Sequence, residues 1–175
     1  MMNWFNKIKL RFNTAPIRKL TVITPISGQI TSLESVPDAI FAQKIIGDGL
    51  AIEPSSDIML APIDGRITKI YPNNHAFVIQ SSDGINVVSH FGINSIYLRG
   101  RGFKQLTSES ADVQAGDPII ECDIEAIRPN LKSFITPVVI SAEPHVNIIS
   151  IRKQTGHVKA GINPILTLEY SIKNK

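Results

Sequence analysis

Two of the four histidines in this chain stand inside apolar, strand-like runs separated by a turn signal. His75 lies in Asn74-His75-Ala76-Phe77-Val78-Ile79 and His90 in Ile85-Asn86-Val87-Val88-Ser89-His90-Phe91-Gly92-Ile93, with Ser81-Ser82-Asp83-Gly84 between them. Side chains alternate faces along a strand, and the loop length of a hairpin fixes which residues oppose each other. A four-residue loop over Ser81 to Gly84 pairs Gln80 with Ile85 and sets His75 directly across from His90. A two-residue Asp83-Gly84 turn makes the histidines diagonal neighbours on one face. Only an odd loop or a bulge separates them. Such a pair can act as nucleophile and hydrogen-bonding assistant, can bind a metal, or can be packed core. Burying two imidazoles demands two sets of hydrogen-bond partners that apolar residues would not need, which weakens the core reading. A metal site lacks acidic residues at ligand spacing, and His145 and His157 carry no HExxH or HxH pattern. A two-histidine half-site completed by a partner protein stays open.

The surrounding chain must supply a hairpin and something to pack it on. Its 175 residues, 43% hydrophobic and 19% charged, describe a globular protein of about one domain. Glycine and proline punctuate short runs rich in Ile and Val, which predicts an all-β fold, an antiparallel β-sandwich or barrel with short helical turns. Two internal echoes point to a build of two hairpin-rich halves. Pro25-Ile26-Ser27-Gly28-Gln29-Ile30 returns as Pro62-Ile63-Asp64-Gly65-Arg66-Ile67, and Val113-Gln114-Ala115-Gly116 returns as Val158-Lys159-Ala160-Gly161. In each, the glycine is a candidate for the positive φ of a tight turn. Departures from β are expected at Ser35 to Ala42, a helical turn capped by Ser35, and at Ser141-Ala142-Glu143-Pro144, readable as a helix start or as strand.

Residues 1–19 read differently from the 20–175 domain. On a helix Trp4, Phe5, Ile8 and Phe12 share a face bordered by Lys7 and Arg11, the pattern of an interfacial amphipathic helix that could meet an anionic membrane surface. The net charge of +3 has its excess in Lys7, Lys9, Arg11, Arg18 and Lys19, so a nucleic-acid-binding face has little support. A single cysteine, Cys122, excludes an intramolecular disulfide. With no secretory signal and no apolar run long enough to span a bilayer, the expected compartment is the cytoplasm, with a peripheral position at the inner face of the membrane if the N-terminal segment binds there.

The runs Val36-Pro37-Asp38-Ala39-Ile40-Phe41-Ala42, Ile46-Gly47-Asp48-Gly49-Leu50-Ala51-Ile52, Ala61-Pro62-Ile63-Asp64-Gly65, Asn74-His75-Ala76-Phe77, His90-Phe91-Gly92-Ile93, Gly102-Phe103 and Thr136-Pro137-Val138-Val139-Ile140 stand in order along the chain. Together they resemble the glucose-type enzyme IIA of the bacterial phosphoenolpyruvate-dependent sugar phosphotransferase system. The resemblance runs from about Ile23 to Glu169. It implies a cytoplasmic phosphocarrier in which His90 takes the phosphoryl group on Nε2 from the carrier HPr and passes it to a cysteine of enzyme IIB. His75 matches the second histidine, which holds the phosphoryl group and assists its transfer. The partner surface maps onto Asp38, Ile40, Phe41, Ile46, Tyr71, Asn73, Val88, Asn94 and Ile96. No cofactor is required; the resemblance adds a conditional zinc held by His75 and His90 at a partner interface, and regulatory binding to permeases, glycerol kinase or adenylate cyclase. This chain departs from the family pattern at Asn73, usually threonine, Val88, usually phenylalanine, Ser89, usually valine, and Asn94, usually an acid. An amide at Asn73 is expected to hydrogen-bond His75 in place of the hydroxyl. The departures motivate an alternative, a regulatory binding protein of the same fold without efficient relay.

Overall fold

The computed structural model describes residues 15–131 and 133–173. The amphipathic pattern over Trp4 to Phe12 therefore lies outside the described residues, while β1 begins at Arg18, inside the segment set apart on composition. In chain order the strands begin with β1 (Arg18–Ile23), β2 (Gly28–Thr31), β3 (Asp48–Pro54), β4 (Ile58–Leu60) and β5 (Gly65–Ile70). The histidine hairpin follows as β6 (Ala76–Gln80) and β7 (Ile85–His90). Next come β8 (Phe103–Gln105), β9 (Asp112–Val113), β10 (Pro118–Cys122) and β11 (Thr136–Ala142). The chain closes with β12 (Val146–Lys153), β13 (His157–Val158) and β14 (Pro164–Ile172).

An eight-stranded antiparallel sheet, ordered β13-β2-β3-β11-β7-β6-β5-β9, is covered by two three-stranded sheets, β1-β14-β12 and β4-β10-β8. Alternation along β7 shows how the layers are filled: Ile85, Val87 and Ser89 are buried, while Asn86, Val88 and His90 are half-buried on the other face. The main core unites Phe77, Ile79 and Val87 of the large sheet with Val22, Ile165 and Leu168 of one cover and Met59 and Ile119 of the other. This is the antiparallel sandwich the composition predicts. Among the described residues, no helix is long and apolar enough to cross a membrane.

The internal echoes are realised as equivalent contacts in two halves of the large sheet. Gly65 pairs with Val113 in one half and Gly28 with Val158 in the other. Asp64 accepts from the Ala115 amide as Ser27 accepts from that of Ala160, and the Gly116 and Gly161 amides donate to the carbonyls of Ala61 and Thr24. Gly116 and Gly161 adopt positive φ, as expected, but Gly28 and Gly65 do not. Those two are small for another reason: a Cβ on either would drive into a carbonyl oxygen of the neighbouring strand, Glu53 or Gln80.

Two local expectations change. The helical turn α1 (Ala39–Ala42) is capped by Asp38, whose carboxylate accepts from the Ile40 amide at 2.8 Å, and not by Ser35. Ser35 instead closes a 3₁₀ turn over Leu33–Ser35, its hydroxyl donating to the Ser32 carbonyl. Ser141 and Ala142 belong to β11, and the chain turns through Glu143 to enter β12 at Val146. The β-branched residues of both strands pair along the ladders, which overrides the local helix-start signal.

Candidate functional site: a histidine pair under an apolar rim

The hairpin register differs from both even loops. Gln80 pairs with Asn86 and Ala76 with His90, so the residue opposite His90 is Ala76. The cause is an odd, three-residue loop: the Ser81 amide donates to the Ile85 carbonyl, the Ile85 amide donates to the Ser81 hydroxyl, and Gly84 takes φ +89°. The histidines meet nevertheless, with ring centroids 5.0 Å apart and planes at 76°. His75 precedes the first residue of β6, and the bend before it carries two left-handed residues, Asn73 at φ 74° and Asn74 at φ 58°. Outside the ladder, strict alternation no longer governs where its ring points.

The far end of the same hairpin is tied across the sandwich. Asp83 at the tip accepts from the Tyr170 hydroxyl at 2.6 Å and from Arg18 at 2.7 Å. The tyrosine hydrogen bond, then the arginine, hold the Asp83 carboxyl below its ordinary pKa, while burial, then Asp83, pushes the Tyr170 phenol up to about 12.

A second, smaller core seats the segment that flanks His90. Leu33, Val36 and Phe41 pack with Ala51, Ile93 and Val139, joined by the half-buried Val88. Phe41, placed on the rim by resemblance, is 6% exposed and sets its ring edge-on to His90 at 5.3 Å. Tyr71 approaches His75 at 6.1 Å, so four rings lie in the order Phe41, His90, His75, Tyr71. Ile40, Ile46, Tyr71 and Ile96 are exposed on the segments that lead to and from these rings, apolar side chains of the kind that mark an interaction site. Ile45 and Tyr97 are more exposed than any of these and were not singled out in the sequence. Their positions beside Ile46 and Ile96 were the available signal.

The polar predictions distribute unevenly. Asn94 is exposed in a left-handed conformation at φ 63° and opens a 3₁₀ turn over Ser95–Leu98. Asn73 does not hydrogen-bond His75. Its amide donates to the Ile96 carbonyl at 3.3 Å, because the left-handed backbone turns it toward that loop. Ser89 faces the interior, opposite Phe77, with its hydroxyl buried and unpartnered, a packing change away from the histidine face. Among the described residues no group of three His, Cys, Asp or Glu could hold a metal ion. Two imidazoles alone are half of a tetrahedral zinc set, so a zinc ion here would need ligands from outside this group.

The surroundings favour the neutral form of both rings. Burial lowers the His75 pKa against an opposing effect of the Pro72 carbonyl. Burial, then the neighbouring His75, lowers that of His90 to about 4, with the Gly92 carbonyl and Asp38 acting the other way. Nδ1 of each ring is sealed from solvent and makes no hydrogen bond of good geometry, although the Pro72 carbonyl acts on His75 and the Gly92 carbonyl on His90, which leaves Nε2 as the nitrogen that can meet a visiting group. A neutral imidazole with an available Nε2 lone pair is a nucleophile, and one with an Nε2 proton is a hydrogen-bond donor. The pair can therefore capture an electrophile on one ring and hold it from the other.

This predicts the pH response. A ¹⁵N NMR titration should place the His90 midpoint near 4 and below that of an unfolded histidine, whose ordinary value is 6.5. Between those values the unfolded chain binds more protons than the native one, so His90 removes stability as pH falls through that window and leaves it unaffected above it. A His90 midpoint at or above 6.5 would contradict the neutral-nucleophile geometry.

Residues 20–146 match the family described as phosphoenolpyruvate-dependent sugar phosphotransferase system, EIIA 1. The chain is 43% identical over 164 residues to the PTS system glucose-specific EIIA component of Buchnera aphidicola subsp. Baizongia pistaciae, covering 94% of this chain and 96% of that protein. It is 41% identical over 155 residues to the PTS system N-acetylglucosamine-specific EIICBA component of Klebsiella pneumoniae, 89% of this chain but 23% of that longer protein. Among solved structures, glucose permease IIA from Mycoplasma capricolum is similar at a TM-score of 0.79 and 29% identity, covering 86% of this chain and 96% of that one. The fold, the family match and the full-length similarity agree. The chain belongs to the EIIA family of the phosphoenolpyruvate-dependent sugar phosphotransferase system and is a phosphotransferase component.

Proposed function

We propose that the chain relays a phosphoryl group from phospho-HPr to a cysteine of an enzyme IIB domain, carrying it on Nε2 of His90. The observation that supports this most is the pair itself: two neutral rings 5.0 Å apart with both Nδ1 atoms sealed. In the first transfer the Nε2 lone pair of His90 forms a bond to phosphorus as the donor P–N bond breaks and its electron pair returns to the donor imidazole. Because nucleophile and leaving group are chemically alike, the step is nearly isoenergetic, and positioning and charge stabilisation are what the protein contributes. His75 Nδ1 makes no hydrogen bond of good geometry, although the Pro72 carbonyl acts on the ring. In the tautomer that carries its proton on Nε2, the ring donates that proton to a phosphoryl oxygen in a hydrogen bond. In the second transfer the cysteine thiolate displaces His90 from phosphorus.

The rim suits brief docking. It excludes water from the reacting atoms while remaining small enough for a transient contact. Asp38, held by its own helix cap, adds negative charge at the His90 end of the face. The decisive experiment is reconstitution with enzyme I, HPr and labelled phosphoenolpyruvate. The chain should take up one acid-labile, base-stable phosphoryl group and lose it when an enzyme IIB domain is added. No uptake rejects the relay; uptake without onward transfer to any enzyme IIB favours a regulatory binding role.

A further inference from the structure

An ion network runs through the elements that carry Phe41, and the relay chemistry makes no direct use of it. One oxygen of Asp48, Oδ1, takes three donors: Nζ of Lys153 at 2.7 Å, Nζ of Lys44 at 3.1 Å and the Gly49 amide at 2.9 Å. Lys44 also reaches Glu34 at 2.8 Å. The series Glu34, Lys44, Asp48, Lys153 thus ties together the 3₁₀ turn at Leu33–Ser35, the loop after α1, the start of β3 and the end of β12. Burial opposes the charge on Asp48, yet Lys153, the Gly49 amide and Lys44 together hold its carboxyl below the ordinary pKa.

From Asp48 the path to His90 is short. Lys44 closes the end of α1, its amide donating to the Phe41 carbonyl at 2.9 Å, while the Ile45 amide donates to the Ile40 carbonyl at 3.1 Å. Phe41 in turn sets its ring on His90 at 5.3 Å. Lys44 does this in a left-handed conformation, φ 56°, which a residue with a Cβ adopts at a cost. Apolar contact alone leaves the region open. A cleft of about 190 Å³ is lined by Leu33 and Glu34 of the 3₁₀ turn, by Gly49 and Leu50 of β3 and by Lys153 of β12. The small core that buries Phe41 includes Leu33, so the ion pairs span the place where packing behind that core is incomplete.

We propose that Asp48 is a positioning residue for His90: by anchoring Lys44 to β12 it holds α1 in place, so that the Phe41 ring stays edge-on against the acceptor imidazole. That role rests on the relay reading of His90. Partly exposed ion pairs add little to stability, so the mark of this one is local geometry around one ring and not the melting temperature. A ring kept there shields one side of the reacting imidazole from water.

Proton NMR of the full chain, without any partner, reads the contact directly. Nuclear Overhauser effects between the Phe41 and His90 rings should be lost in Asp48→Ala, while those between Phe91 and Phe103 in the main core persist. Asp48→Asn, which keeps an acceptor and loses the charge, should weaken them in part, and so should Lys153→Met, which decides the matter if Asp48→Ala does not fold. On a Phe41→Ala background, Asp48→Ala should move the His90 ring protons no further, since the two changes act through one contact. In the labelled-phosphate assay the folded Asp48→Ala chain should accept phosphoryl groups about 10-fold more slowly. The proposal is overturned by a Phe41–His90 contact unchanged in the folded variants, by its loss only together with the main-core contact, by a further His90 shift on the Phe41→Ala background, or by acceptance at the wild-type rate. A wild-type chain that accepts no phosphoryl group rejects the relay alone, and the NMR result then judges the anchoring by itself.

Discussion

His90→Ala is expected to abolish labelling from phosphoenolpyruvate, a loss of at least ~10³-fold, because the substitution removes the atom that bonds phosphorus. The chain should stay folded. His90 is the last residue of β7, half-buried on the face away from the main core, and its truncation removes contacts only to Phe41 and His75 among the neighbouring rings. His90→Gln gives a second, better-filled variant. Circular dichroism and thermal melting establish folding, and labelling establishes chemistry. Label retained by a folded His90→Ala chain would move the acceptor to another residue and remove the central assignment.

His75→Ala should separate the two histidines by role. The variant should still take phosphate on His90, since the Nε2 lone pair of that ring is untouched, but onward transfer should fall about 10² to 10³-fold, the usual consequence of losing one donor to developing charge. That range corresponds to about 3 to 4 kcal/mol in the barrier. His75 is only 3% exposed, so a cavity and some loss of stability accompany the change. His75→Gln keeps an N–H donor and should recover part of the rate, which a purely structural role would not require. Rapid-quench measurement of both half-reactions distinguishes these outcomes. Equal loss in acceptance and donation would make His75 a positioning residue for His90.

The chain wrote its architecture more plainly than its registers. The β class, the sandwich and the histidine pair follow from short Ile- and Val-rich runs and their punctuation. The two echoes went further than their length promised, since they occupy matching places in the two halves of the large sheet. Register was not legible, because loop parity depends on whether Ser81 closes the ladder with its own amide and hydroxyl. Two departures from the even-loop hairpin offset each other: the odd loop shifts the pairing by one residue, and two left-handed asparagines take His75 out of the ladder. The same asparagine backbone aimed Asn73 at Ile96 and left the buried Nδ1 of His75 unpartnered, which no residue type announces. The resemblance places Phe41 on the rim as one apolar residue among several. Its burial depends on the small core over β3, β11 and β7, assembled from segments far apart in sequence.

The paired echoes also set an order of events during synthesis. In the half that carries the histidines, residue 65 finds its partner at residue 113, and both have left the ribosome while much of the chain is still to be made. In the other half, residue 28 must wait for residue 158. Strand β7 itself gains its second neighbour only when residues 138–142 arrive. A nascent chain can thus close one hairpin-rich half early, yet its histidine face stays open on one side until late. If His90 is the acceptor, phosphoryl acceptance should mature with the last third of the polypeptide, since truncated products carry both histidines without the strand that walls them in.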